Sequence, residues 1–380
     1  MGSAYTPGLK VSARTTIEKT RRLPLKGAVL VNVGDRVAPS TIVARTELPG
    51  VMQTVKLAEL LGIEPQELKS ALRVEMGARI SKGDVLGQTK GLFGLFRNEI
   101  RSQVEGTLEM ISEQTGHLGI RMLPTPVEKD AYIHGVVKEV MPEDGVVVQC
   151  QGALVQGIFG VGGERQGDIA VAAESSSDPL TEEHVGPQHK GKILIGGSNV
   201  TLGALRKCAE VGAVGIVVGG VVDRDLIQYL REALNDPSYD IGVAITGTEP
   251  IGFTLVVTEG FGAIRMADRT FALLRSLEGK LASINGATQI RAGVIRPEVI
   301  VSLDDQAAPS DESRGAGLLE IGTPIRVIRE PYFGLLGSVT ALPAELQQVE
   351  SETMVRVLQA KLEDGRVVTV PRANVEIIES

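Results

Sequence analysis

Small, hydroxyl-bearing and acidic side chains follow three apolar runs in the second half of the chain, at positions where parallel strands would end. In an open parallel sheet, ligands bind beyond the carboxyl ends of the strands, where backbone amides and helix N-termini attract anions. The sequence therefore predicts a site for a phosphate- or carboxylate-bearing ligand. Its candidate residues are Ser198, Asn199 and Thr201 after one run, Thr246, Thr248 and Glu249 after another, Thr258, Glu259 and Gly260 after the last, and Arg291 from a later segment.

The same residue types have an ordinary structural use, which stays open as the alternative. Glycine and serine at strand ends also form turns and helix N-caps, and residues 197–199 depart from the GxGxxG dinucleotide pattern. Arg291 completes an anion pocket with Gln289 and Arg296, or these side chains are solvated or form salt bridges between domains.

The sequence shows no arrangement typical of a catalytic centre. Glu249 and Glu259 are candidates for a carboxylate pair, although the sequence does not place them within reach of each other. The four histidines lack the spacing of metal ligands, and Cys150 and Cys208 are too few and too distant for a disulfide framework, a zinc site or an iron–sulfur site. Triad signatures are missing as well. We therefore predict no catalytic residue, no metal and no cofactor; whether the protein is an enzyme stays open, and the sequence favours that it is not.

Length and charge limit the classes of function. A chain of 380 residues is long enough for two to four domains. A net charge of -8 argues against a general nucleic-acid binder. Residues 1–26 are the exception: this basic arm is either solvated or a tether for an anionic partner. The chain shows neither an apolar leader nor a long apolar run, which predicts a cytoplasmic protein without a membrane span.

Residues 180–303 carry the pattern of the domain that would position the candidate ligand site. Apolar runs typical of buried parallel strands occupy 193–195, 214–218, 243–245 and 253–257. Segments with helical spacing occupy about 202–211, 224–234 and 264–277. This alternation predicts right-handed βαβ units and a three-layer α/β domain with a parallel sheet. The Asn285-Gly286 pair that follows predicts a two-residue hairpin.

Residues 27–174 form a β-rich region in which one pattern occurs twice, with a helical insert near 55–72. Each copy has a glycine turn that admits positive φ, Gly34-Asp35 in the first and Gly83-Asp84 in the second. The pattern resembles the barrel-sandwich hybrid fold of biotinyl and lipoyl carriers and of RnfC- and NqrA-type subunits. That resemblance implies a β platform without a swinging arm, because Phe93 stands where a carrier has its modifiable lysine. Phe93 and Phe96 belong to an apolar loop that is either a core plug or a partner-binding tip.

The end of the chain carries the most specific pattern. Residues 302–317 are acidic and small, which predicts a linker. From 318 to 380, a strand, a Gly-Leu-Leu-Gly turn at 334–337 and an Asp364-Gly365 hairpin resemble a KOW domain, a small SH3-like β-barrel. KOW modules contact RNA or proteins, and the resemblance implies such a role. Because acidic residues outnumber basic ones here, protein contact is favoured, with Tyr332 and Phe333 as candidate partner-binding residues.

Three functional hypotheses follow. The first is a non-catalytic scaffold or adaptor that binds protein partners through its barrel-sandwich and KOW surfaces. The second is a ligand-binding or enzymatic α/β protein that uses the loops at the strand ends. The third is an RNA-, transcription- or ribosome-associated factor that uses the KOW module and the basic arm.

Overall fold

The computed structural model of the chain describes residues 9–89, 98–241, 245–289, 295–303, 319–327, 331–332, 335–343, 346–348 and 354–377. The protein is a mixed α/β structure in which one large mixed sheet is accompanied by several small β sheets. Within these residues, the helices are all too short or too polar to span a bilayer.

The N-terminal part is almost entirely strands. These are β1 (Val11–Arg22), β2 (Ala28–Val29), β3 (Arg36–Val37), β4 (Ile42–Leu48), β5 (Met52–Val55), β6 (Arg79–Ile80), β7 (Val85–Gln88), β8 (Glu99–Arg101), β9 (Gly106–Ser112), β10 (His117–Met122), β11 (Thr125–Asp130), β12 (Gly135–Met141) and β13 (Gly145–Gln156). Helices α1 (Leu57–Leu61) and α2 (Leu68–Ala71), with a 3-10 turn at Pro65–Glu67, form the predicted helical insert. Three small sheets have the strand orders β5-β10-β9-β6, β11-β4-β2 and β7-β8.

The central part alternates strands with helices. Its strands are β14 (Phe159–Val161), β15 (Arg165–Val171), β16 (Lys192–Ile195), β17 (Asn199–Val200), β18 (Gly215–Val221), β19 (Ile245–Thr246), β20 (Thr254–Phe261), β21 (Leu281–Asn285), β22 (Thr288–Gln289) and β23 (Glu298–Ser302). Its helices are α3 (Leu202–Val211), α4 (Asp223–Leu234) and α5 (Asp268–Ser276), with 3-10 turns at Glu182–His184 and Pro187–His189.

The C-terminal part is a six-stranded antiparallel sheet, here called the C-terminal sheet, with the order β26-β27-β25-β24-β29 and β28 paired to β27. Its strands are β24 (Pro324–Val327), β25 (Leu336–Ala341), β26 (Leu346–Gln348), β27 (Met354–Leu362), β28 (Val367–Pro371) and β29 (Val375–Ile377), and a 3-10 turn occupies Arg372–Asn374. The predicted Asp364-Gly365 hairpin is confirmed, because it joins the antiparallel pair β27 and β28 with Gly365 at φ 87°.

The large sheet runs through the N-terminal and central parts. Its twelve strands have the order β14-β20-β18-β16-β15-β21-β23-β13-β12-β3, with β1 paired to β13 and β17 paired to β18. Strands β15, β16, β18 and β20 are parallel to one another, and β17 is parallel to β18. The other neighbouring strands of this sheet are antiparallel. The sheet therefore includes strands from both sides of the predicted domain boundary near 174–180. That boundary stays a prediction.

Helices cover both faces of the parallel strands. Alternate residues such as Leu194 and Ile216 belong to a core that α3 and α4 complete. Their sequence neighbours Ile193 and Val217 belong to a second core that α5 completes. Continuous apolar runs are required here because both faces of a parallel strand are buried.

One local prediction in this region is wrong, and another is tested at a single residue. Residues 243 and 244 of the predicted strand 243–245 lie outside the described residues. Ile245 begins β19, which pairs antiparallel with β22 in a separate two-stranded sheet, so Ile245 is not part of the parallel sheet. The Asn285-Gly286 pair does not close a hairpin, since β22 pairs with β19 and β21 pairs with β15 and β23. Gly286 is needed for another reason: a Cβ there would overlap the carbonyl oxygen of Val161.

The two Gly-Asp turns of the N-terminal part adopt the same local structure. Gly34 and Gly83 have φ values of 92° and 96°, which confirms the positive φ predicted for both. In each turn the aspartate carboxylate accepts a hydrogen bond from the amide three residues earlier, Asn32 in one (2.8 Å) and Ser81 in the other (2.7 Å). The sequence repeat is thus a repeat of backbone conformation.

Half of the basic arm is a strand of the large sheet. Strand β1 pairs antiparallel with β13 along almost its whole length, so this segment is not the solvated arm that its charge suggested. Arg21 is 4% exposed, and its guanidinium donates to the carboxylates of Glu164 (2.7 Å) and Asp130 (2.8 Å). It also lies over the ring of Tyr132, 5.2 Å from the ring centre. A basic side chain is buried here because two carboxylates and an aromatic face replace its water.

We expect Arg21→Gln to lower the free energy of unfolding by about 3 kcal/mol, because it removes the cation that is hydrogen-bonded to both Glu164 and Asp130 in a partly dry environment. Arg22 is the matched control: its side chain is 64% exposed and forms a surface ion pair with Asp144. Arg22→Gln should change stability by less than about 1 kcal/mol. Urea unfolding of both variants measures the difference, and equal losses would contradict a structural role for Arg21.

Stability should also depend on pH through Glu164. Burial alone would raise the pKa of Glu164, but hydrogen bonds and attraction from Arg21 lower it below its ordinary value. Because the pKa is lower in the folded state, the stabilisation is complete above the unfolded value of about 4.3 and is lost as the pH falls towards the folded value. The stability gap between the wild type and Glu164→Gln should therefore be largest near neutral pH and shrink below pH 4. A gap that stays constant from pH 7 to pH 3 would contradict this, and the exposed Glu143 is a suitable control position.

Candidate functional site

Two of the three predicted ligand-site segments meet at one edge of the large sheet. The parallel strands β16, β18 and β20 end at the same edge, here called the strand-end edge. Asn199 pairs with Gly220 on β18, and Gly220 pairs in turn with Gly260 on β20. The register thus places Asn199 on β17 and Gly260 on β20 on opposite sides of Gly220, with β18 between the two strands. Ser198 precedes β17 and lies at the same edge.

Close backbone packing accounts for the glycines of this edge. A Cβ on Gly197 would overlap the carbonyl oxygen of Ser175, and one on Gly220 would overlap that of Gly262. Two loops therefore lie directly against the strand ends, and only glycine leaves room for them. The small residues at this edge are needed for packing within the chain.

The hydroxyl groups of this edge are also engaged within the chain. Thr201 is the N-cap of α3, and its hydroxyl accepts a hydrogen bond from the amide of Ala204 (3.1 Å). Ser198 donates to the side chain of Asn199 (3.1 Å). Thr258 is buried and donates to the carbonyl oxygen of Val218 (3.3 Å). The turn and N-cap alternative thus explains these hydroxyl groups.

The carboxylate of Glu259 is the centre of the strand-end edge. Glu259 is 3% exposed, and its Oε1 accepts hydrogen bonds from the amide of Ala267 (3.1 Å) and the hydroxyl of Thr258 (3.2 Å). Its Oε2 lies 2.7 Å from Nη2 of Arg326, a residue of the C-terminal sheet. Nη1 of Arg326 donates to the carbonyl oxygen of Thr258 (3.1 Å). A guanidinium of this same chain therefore occupies the edge where a ligand was predicted.

Strand alternation explains how Arg326 reaches this position. Its neighbours Ile325 and Val327 point into the core of the C-terminal sheet, so Arg326 points to the opposite face. That face is covered by the end of β20, and the Arg326 side chain is only 5% exposed. Its Nε is buried without a hydrogen-bond partner among the described residues. The C-terminal sheet and the large sheet are therefore joined through a buried ion pair.

The remaining predicted segment lies at the other end of β20. Glu249 accepts hydrogen bonds from the amides of Gly162 (3.0 Å) and Gly247 (2.8 Å) and from the hydroxyl of Tyr239 (3.1 Å). Burial, together with this carboxylate, raises the pKa of Tyr239 to about 12. Gly162 packs against Thr254 at the start of β20. Glu259 lies five residues further along the same strand, which at about 3.4 Å per residue is about 17 Å from Thr254. The hypothesis of a Glu249–Glu259 carboxylate pair is therefore wrong.

The other members of that segment do not complete a site either. Thr248 is exposed. Thr246 belongs to β19, outside the parallel sheet, so the third part of the predicted ligand site is not at the strand-end edge. Arg291, Phe93, Phe96 and Phe333 lie outside the described residues, and the predictions made for them stay predictions. Tyr332 is half-buried, packs against the core of the C-terminal sheet and has the guanidinium of Arg366 5.5 Å from its ring centre.

Sequence reasoning missed two features. The first is the burial of Arg326: alternation along its strand predicts that it lies on the outer face of a small β domain, and no local signal in the sequence shows that this face is buried. The second is a cavity of about 380 Å³ with polar side chains including Arg36, His134 and Cys150. The sequence spacing of His134 and Cys150 gives no signal for this cavity, and the described residues contain no group of three or more potential metal ligands.

We expect Arg326→Leu and Glu259→Leu each to lower the free energy of unfolding by about 3 kcal/mol, because each leaves one buried charge unpaired. The double variant should lose clearly less than the sum of the single losses, since both charges are then absent. A double-mutant cycle by urea unfolding measures this coupling. Lys361→Gln, an exposed change on β27 of the same sheet, is the control. Additive losses would show that the two side chains do not interact.

Comparison with known proteins identifies no family for this chain. No protein-family model matches the sequence, and a search of curated proteins finds no match. The resemblances to barrel-sandwich and KOW domains therefore remain inferences from local sequence patterns, and function has to be argued from the geometry of the site.

Proposed function

We propose that the protein is a non-catalytic scaffold or adaptor that binds protein partners through its β surfaces. The observation that carries this proposal is the Arg326–Glu259 ion pair at the strand-end edge. An α/β sheet offers this edge to small ligands, and here a side chain of the C-terminal sheet fills it. The central sheet thus serves as a docking base for another part of the chain.

The proposal includes a KOW-like barrel at the C-terminus. The antiparallel order of β24 to β29 and the β27–β28 hairpin support it. Docking through Arg326 uses one outward face of β24, and the proposed partner surface lies around Tyr332, where an aromatic ring is still partly exposed. Half-buried tyrosines are common anchors in protein interfaces.

The proposal also includes a barrel-sandwich-like platform in the N-terminal part. Three small sheets and the two equivalent Gly-Asp turns support this assignment. In the scaffold these strands supply a second contact surface.

Ion pairing within the chain argues against the RNA-binding alternative. Four of the six basic residues of the basic arm pair with carboxylates of this chain: Lys19, Arg21, Arg22 and Lys26. Lys19 and Arg21, whose side chains are mostly buried, are poorly placed to replace counterions on a phosphate backbone. A protein partner is therefore favoured over RNA.

Affinity purification of the full chain from its native cells tests the proposal. We expect one stoichiometric protein partner, with its binding weakened at least about 10-fold by Tyr332→Ser, as for the loss of an interface anchor. Val367→Ser, at an exposed position on β28 of the same sheet, should retain the partner. Melting temperatures check that both variants are folded. A monodisperse protein without a partner that converts a metabolite would overturn the proposal.

A further inference from the structure

Strand β13 changes its neighbour on one edge, and this change opens a cleft. On one side β13 pairs with β1 from Gly145 to Val155. On the other side it pairs with β12 as far as Gln149 and with β23 from Gly152 onwards. A cavity of about 380 Å³ lies at this junction. Gln149, Cys150 and Gln151 all line it, so it involves side chains from both faces of β13, as expected for a gap between strands.

A second cavity of about 210 Å³ adjoins the first and shares His134 and Ser302 with it. The hydroxyl of Ser302 donates to the carbonyl oxygen of His134 (2.9 Å), which ties the end of β23 to the start of β12 between the two cavities. The larger cavity, at about 380 Å³, is within the range of volumes of small-molecule sites.

The lining of the two cavities is basic in an acidic protein. Arg36 lines the larger cavity and Lys280 the smaller one, and none of the described residues that line either cavity is a carboxylate. Within the described part of the chain, neither basic side chain makes an ion pair, whereas four of the six basic residues of the basic arm do. The chain as a whole carries a net charge of -8, so a cleft whose described lining has two cations and no carboxylate is a local exception.

Hydrogen bonds fix the side chains of two glutamines that line the larger cavity. The carboxamide of Gln151 donates to the hydroxyl of Thr16 (2.8 Å), and that of Gln149 donates to Glu18 (2.7 Å). Glu18 is itself paired with Lys138 (2.6 Å), so its charge is compensated outside the cleft. The cleft is therefore a preformed polar site, and the charged side chains among its described lining residues are positive.

We propose that this cleft binds a small molecule that carries an oxyanion group, a phosphate or a carboxylate. Arg36 presents a planar fork of donors that matches such a group. His134 lies between the two cavities, and Lys280 supplies a second cation for a ligand that extends into the smaller cavity. This inference is independent of the proposed scaffold function, because it concerns another surface of the protein.

Cys150 provides a direct reporter of the cleft. It is half-buried and lines the larger cavity, whereas the only other cysteine, Cys208, is buried and burial raises its pKa to about 12. Thiol reagents should therefore modify Cys150 alone. The rate of alkylation of Cys150 by anionic iodoacetate, divided by its rate with neutral iodoacetamide, reports the electrostatic potential at the thiol. We expect Arg36→Gln to lower this ratio at least about 3-fold and Arg36→Lys to restore most of it, because nearby positive charge concentrates anions.

A matched control is Arg45→Gln, which removes an exposed arginine of β4 that does not line the cleft. This change should leave the ratio unchanged.

A second experiment distinguishes the two oxyanions. It measures how far inorganic phosphate and succinate, at constant ionic strength, protect Cys150 from iodoacetamide. We expect saturable protection by at least one of the two anions. The apparent affinity of that anion should fall at least about 10-fold in Arg36→Gln and in Lys280→Gln. An unchanged alkylation ratio in Arg36→Gln, or no protection beyond that of chloride, would overturn the proposal.

Discussion

Continuous backbone hydrogen bonding along β13 holds the N-terminal and central parts of the protein together. A buried strand must pair its amides and carbonyls on both edges, and β13 does so with β1 on one side and with β12 and then β23 on the other. The N-terminal strands and the α/β strands thereby share one sheet. The change of partner from β12 to β23 also creates the cleft around Cys150, so one constraint produces both the continuity of the fold and this cavity of about 380 Å³.

The strand-end edge shows how a site that favours ligands becomes an internal contact. Glycine and hydroxyl residues suit the binding of an anion, but they equally allow loops to approach and helices to be capped. Here the loops do approach, Thr201 caps α3 and Arg326 pairs with the buried Glu259. The charge at the centre of this edge is a carboxylate, which attracts a guanidinium and repels the phosphate or carboxylate that the sequence analysis predicted.

Basic residues have different uses in different parts of this acidic protein. Arg21 is buried between two carboxylates, and Arg326 is buried against one. Both are structural, because a buried cation needs a fixed counter-charge. Arg36 and Lys280 are exposed and line cavities whose described lining residues include no carboxylate. Pairing and burial, rather than position in the sequence, separate the cations that stabilise the fold from those that are free for a ligand.

Local features of this protein were determined by the sequence alone. Helix α3 was predicted within its observed bounds, and so were the positive φ of Gly34 and the hairpin at Asp364-Gly365. Each depends on the periodicity or backbone freedom of a few adjacent residues. The antiparallel pairing of β19, the burial of Arg21 and the Arg326–Glu259 contact, between residues 67 apart, were decided by the tertiary structure. Strand alternation shows that Arg326 points away from its own core, but which surface covers it depends on how distant segments pack.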